Sequence, residues 1–120
     1  IGAPLERFLT STDAGAAYYF ARGALSGNWR QQQRLTGSSP EALSEFGGAV
    51  GLDAATAVIG SAKRDQGTSN SAGAAFAFDL ELLDDEISQE TDMLSTDDAA
   101  ANDGFGSAVG LSGDSTLIGI

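Results

Sequence analysis

Carboxylates are the chemistry-bearing groups that this chain of 120 residues supplies in number, with 17 Asp and Glu against 6 Lys and Arg. Asp97-Asp98 and Asn102-Asp103-Gly104 set oxygen-bearing side chains closely together ahead of a predicted strand. Such a run can hold a hard cation or join a contact between neighbouring structural units. The alternative is a solvated loop closed by an Asn-Asp-Gly turn. Asp84, Asp85 and Glu86 form a further acidic run. General acid–base chemistry needs two groups whose surroundings push their pKa values apart, and nothing in that run differentiates them. Ser112-Gly113-Asp114 has turn character, and the chain contains no His to activate a serine. Cys is absent too, so disulfides, thiolate chemistry and Cys- or His-ligated metals are excluded. The expectation is a protein that is not an enzyme.

The elements that position these groups come from an internal repeat. FGGAVGLDAATAVIG at 46–60 returns as FGSAVGLSGDSTLIG at 105–119, and GAAYYF at 15–20 returns as GAAFAF at 73–78, always 58 or 59 residues apart. A fixed period of this size marks a stacked or radial architecture. Within one period, residues 46–52 alternate Phe46, Gly48, Val50 and Leu52 with Gly47, Ala49 and Gly51, a strand with one nearly bare side. A hairpin turn is predicted at 53–55, and a second strand runs from Thr56 to Ala62. After a polar loop to about Ala72, Gly73 to Phe78 makes a third strand, matched by Gly15 to Phe20. The fourth is Asn28 to Leu35, matched by Glu86 to Met93, and its polarity suits an outermost edge. Four short antiparallel strands per period predict an all-β chain of propeller blades, about two repeats of an incomplete propeller. Residues 1–45 hold the second to fourth strands of a blade, 46–104 a complete blade, and 105–120 the first two strands of the next.

Charge is split along the chain. Residues 1–64 carry a net +1 and residues 65–120 a net −12. That field repels phosphate backbones, which argues against nucleic acid, and attracts divalent cations or a basic surface. No stretch reaches the ~20 apolar residues of a membrane span. The chain opens in mid-repeat, and Ile118-Gly119-Ile120 repeats Ile1-Gly2-Ala3, which predicts a window from a longer repeat array. A ring closed by identical chains would have an even number of blades, six or eight.

The ordered series Phe46-Gly47, Phe105-Gly106, Gly2-Ala3-Pro4, GAAYYF and Trp29-x-Gln31-x-x-x-Leu35 resembles FG-GAP repeats, the blades of integrin α-subunit propellers. The resemblance spans essentially the whole chain. It implies an extracellular or cell-surface module that recognises a protein or glycan through loops on one face, here 4–14, 62–72 and 97–104. Rival expectations are a filament or coat subunit built by blade contacts, and an accessory propeller of a larger hydrolase or lyase. The family's loop between second and third strands often carries calcium-binding carboxylates. The matching loop here, Lys63 to Asn70, offers Asp65 and Asn70 beside two cations. Calcium takes about 6–8 oxygens, so this loop is a degenerate version of that cage. The candidate calcium ligands are Asp65, Asn70, Asp97, Asp98, Asn102 and Asp103.

Overall fold

The computed structural model describes residues 1–7, 10, 12–82, 87–88 and 90–120. Among these described residues the regular elements are ten strands and one 3-10 turn, Leu80–Leu82. In chain order the strands are β1 (Gly2–Ala3), β2 (Ala16–Arg22), β3 (Trp29–Leu35), β4 (Ala49–Asp53) and β5 (Thr56–Ser61). They continue with β6 (Ala74–Asp79), β7 (Ile87–Ser88), β8 (Asp92–Leu94), β9 (Ala108–Ser112) and β10 (Ser115–Gly119). Three sheets result: β1-β2-β3-β7, β4-β5-β6-β8, and the hairpin β9-β10. We refer to them as blade 1, blade 2 and the terminal hairpin.

The register repeats with the sequence. Gly2 opposes Ala17 in blade 1 as Gly60 opposes Ala75 in blade 2. Ala17 opposes Leu35 as Ala75 opposes Leu94. Ala49 opposes Gly60 as Ala108 opposes Gly119. Consecutive sheets then touch through backbone. A Cβ at Gly2 would overlap the carbonyl oxygen of Gly47, and one at Gly60 would overlap that of Gly106. No residue but glycine fits such an approach.

Between the blades lies the core: Ala17 and Leu35 from blade 1 against Phe46, Ala57, Ile59, Ala74, Phe76 and Phe78, with Leu80 alongside. Phe46 lies 5.2 Å from Phe76, tilted, and 6.1 Å from Phe78, edge to face. Fully burying each of these rings contributes roughly 1.5–3 kcal/mol. Each blade therefore turns a bulky face back toward the small-residue face of its predecessor. Val109 and Leu111 of the terminal hairpin sit on Gly51 of blade 2 in the same sense.

Four local differences separate the structure from the sequence pattern. The first strand begins at Ala49 rather than Phe46, because Glu45 and Gly47 have φ of 54° and 95° and turn the chain out of extended geometry. Phe46 instead makes an isolated parallel bridge to Gly15, and Phe105 makes one to Gly73. The predicted fourth strand at 86–93 is shorter and later: Asp92–Leu94 pairs with β6, while Ile87–Ser88 crosses back and pairs in parallel with Arg34 and Leu35 of β3. Glu86, and with it the acidic run Asp84-Asp85-Glu86, lies outside the described residues. The polar edge of β3 is thus covered at its end, and Ser38 clasps Glu90 through its amide (2.7 Å) and hydroxyl (2.5 Å).

The glycine constraint has a direct test. Gly60→Ala should cost about 3 kcal/mol or more in chemical unfolding, because overpacking here meets backbone rather than a movable side chain. Gly113→Ala, where φ is 55° but nothing lies within 4 Å, should cost about 1 kcal/mol. Equal losses in the two variants would contradict the close approach.

Candidate functional site

The junction between blades is built first from main chain. Leu43, Glu45 and Phe46 donate to the carbonyls of Thr12, Asp13 and Ala14 at 2.9, 3.4 and 3.1 Å. One period later Asn102, Gly104 and Phe105 donate to Asn70, Ser71 and Ala72 at 2.9, 3.1 and 2.8 Å. Buried Ser44 and Ser61 lock the first junction: the Ser44 hydroxyl donates to Ala14 and the Ser61 hydroxyl to the Ser44 carbonyl. These seams bring loops 12–14, 41–46, 63–72 and 97–105 to one rim.

Equivalent positions then carry opposite chemistry. In blade 2, Arg64 lies 5.4 Å over the Phe76 ring and donates to the Ser39 carbonyl of blade 1 at 2.9 Å, with Glu41 at 3.9 Å. One period earlier the same positions are Glu6 and Tyr18. The Tyr18 hydroxyl donates to the Glu6 carboxylate at 2.6–2.7 Å, and Arg34 donates to Glu6 at 2.6 Å. The hydrogen bond to Glu6, helped by partial burial, raises the Tyr18 pKa above the ordinary tyrosine value. Burial opposes the Arg34 charge, but hydrogen bonds to Tyr18 and Glu6 outweigh it and its pKa is raised.

On the rim a cleft of about 390 Å³ opens between the two blades, its lining including Asp13, Glu41, Leu43, Glu45, Lys63, Asp65 and Asn70. Lys63 pairs with Glu45 at 2.6 Å, and Glu41 accepts from the Asp65 amide at 2.9 Å. Leu43 is 60% exposed at φ 65°, a left-handed conformation that a leucine rarely adopts. Its counterpart Asn102 has φ 66° and is a residue suited to that conformation. A search for oxygen-bearing ligand clusters passes over Leu43, which has no polar side chain. Alignment of Leu43 with the Asn of the Asn-Asp-Gly turn is the signal that marks it.

The candidate calcium ligands are distributed rather than convergent. Asp65 Oδ1 accepts from the Ser71 amide at 2.7 Å, and Asp103 Oδ2 accepts from the Ala100 amide at 2.8 Å, so each carboxylate closes its own loop. Asn70 and Asn102 meet through backbone, while Asp97 and Asp98 stay exposed. Among the described residues no three acidic side chains gather where an ion would sit. This donor set does not fit a calcium cage of 6–8 oxygens.

Residues 29–78 match the sequence model of a family described as FG-GAP repeat. That segment is similar to an FG-GAP repeat. The matched segment runs from β3 of blade 1 to β6 of blade 2, so it takes in the seam itself and the Phe46 ring that fills it. Neither a curated protein nor a solved structure matches the chain. Among the described residues no helix is long and apolar enough to cross a membrane.

Two measurements check this geometry. Tyr18 has a folded pKa above its unfolded one, so its stabilising contribution is present below about pH 10 and is lost as pH rises through the folded value. In an ultraviolet titration, the tyrosine signal that Tyr18→Phe removes should move to lower pH in Glu6→Gln. An unmoved signal would mean that the Glu6–Tyr18 bond is not formed in solution. Millimolar calcium should leave the melting temperature within about 2 °C. Occupancy at a hundredfold excess over Kd would add about 2.7 kcal/mol and raise it by roughly 10 °C.

Proposed function

We propose that this chain is a non-catalytic recognition or scaffolding module of extracellular or cell-surface type, binding a protein or glycan at the rim between blades. The observation that carries the reading is Leu43. The seam holds it exposed and left-handed at the mouth of a cleft, where the equivalent position takes an unstrained Asn. Backbone strain of this kind costs about 1 kcal/mol or more and persists where surrounding structure imposes it, often at binding surfaces. The cleft walls are charged in both signs, with Lys63 between carboxylates, which suits a polar ligand with a small apolar contact. The absence of His and Cys supports a binding role over catalysis.

A second reading is self-assembly through blade contacts. It draws support from the charge division, net +1 over residues 1–64 and −12 over 65–120, which favours association of one half with the other half of a neighbour.

The primary reading separates stability from binding. Leu43→Asn should stabilise the fold by about 1 kcal/mol, since Asn tolerates the left-handed region. The same variant should lose at least about tenfold in affinity, roughly 1.4 kcal/mol, for ligands found by screening immobilised extracellular proteins and glycans. A screen without ligands, or ligands indifferent to Leu43→Asn, would sink the rim as the recognition surface.

A further inference from the structure

The span that leads into Leu43 is held by side chains more than by main chain. Residues 38–42 belong to no strand, and Pro40 has no amide hydrogen to donate. Among the described residues, every hydrogen bond that ties 38–42 to parts of the chain outside 38–45 comes from residues 64, 65 and 90 of the second repeat. Arg64 donates to the Ser39 carbonyl at 2.9 Å, and the Asp65 amide donates to Glu41 at 2.9 Å. Ser38 donates both its amide and its hydroxyl to the Glu90 carboxylate, at 2.7 and 2.5 Å. Two charge-assisted bonds to one group make this the strongest of the ties.

We propose that Glu90 is a positioning residue for the rim site: seated on Ser38, it fixes the span that sets the conformation of Leu43. This deepens the recognition reading above and rests on it. Thr36 and Ser44 are both buried, so any loosening is confined to the residues between them. Ser44 is fixed on three counts: its hydroxyl donates to Ala14, and its carbonyl accepts from the Ser61 hydroxyl and the Lys63 amide. The φ of Leu43 is the rotation that joins the span 38–42 to this fixed point. Release of the span therefore lets Leu43 leave its φ of 65°.

The same contact links two distant places. Glu90 follows Ile87–Ser88, which pairs with Arg34 and Leu35 at the outer edge of blade 1, while Leu43 stands at the cleft. Seating of that edge strand and presentation of Leu43 are thus biased by one carboxylate. Such coupling is reciprocal: a ligand that grips Leu43 tightens the edge pairing by the factor with which the edge pairing favours the ligand.

Amide hydrogen exchange on the full chain tests this without a ligand. In Glu90→Ala the Leu43 amide, bonded to the Thr12 carbonyl, should exchange about tenfold faster, the size expected for losing hydrogen bonds to a charged group. The Asn102, Gly104 and Phe105 amides of the other seam should change by less than about twofold. Glu90→Gln can still accept from the Ser38 amide and donate to its hydroxyl, so it should stay within about threefold of wild type. A double-mutant cycle gives a second readout: Leu43→Asn should shift the unfolding equilibrium about fivefold in the wild-type background and under about twofold in Glu90→Ala, where the strain is already released. An unmoved Leu43 amide, equal acceleration in both seams, Gln exchanging as fast as Ala, or additive Leu43→Asn and Glu90→Ala effects would each overturn the coupling. The recognition reading falls separately, on its own ligand screen.

Discussion

The whole arrangement depends on how closely one sheet's backbone approaches the next. Gly2 under the Gly47 carbonyl and Gly60 under the Gly106 carbonyl leave no room for a side chain. That spacing lets Leu43, Glu45 and Phe46 reach the carbonyls of residues 12–14, and it lets the Phe46 ring drop between Phe76 and Phe78. It also sets the separation at which Arg64 can cover Phe76 and still touch Ser39. With a wider gap the aromatic core, the seam ladder and the rim cleft would all come apart together.

Most of this was legible in the sequence because the repeat is written in backbone-critical residues. Phe-Gly, the alternating glycines and the Ala-rich third strand recur at one spacing, so the order of the strands follows from periodicity. The pattern misleads where a residue's type and its conformation part company. Phe46 reads as the start of an alternating strand, yet the left-handed Glu45 and Gly47 on either side place it in a bridge to Gly15. The fourth strand of blade 2 reads as eight residues, yet tertiary contacts divide that stretch between two sheets. Composition alone cannot announce that division, because the pairing partner is a strand more than 50 residues earlier.

The candidate site was legible in part. Asp65 and Asp103 each accept from a nearby amide and close their own loops, while Asn70 and Asn102 meet through backbone. Leu43 escaped a reading based on charged and oxygen-bearing residues, since its interest lies in dihedral angle and exposure. The exchange of Arg64 for Glu6 at matching positions shows the repeat conserving geometry while reversing charge. A cation over a ring holds one junction, and a tyrosine–carboxylate–guanidinium chain occupies the corresponding place on the outer face of blade 1.

The crossing of Ile87, Ser88 and Glu90 onto blade 1 has a consequence for folding order. Repeat arrays usually behave as sums of neighbouring units, each able to form before the next is complete. Here the outer edge of the first sheet is finished by Ile87 and Ser88, and its loop is clasped by Glu90, 52 residues beyond Ser38. The first unit therefore cannot reach its final state until nearly all of the second has emerged. Long-range closure of this kind slows folding and fuses the two units into a single cooperative step. The chain gives up the piecewise assembly open to a simple repeat, and in return its first two sheets open and close together.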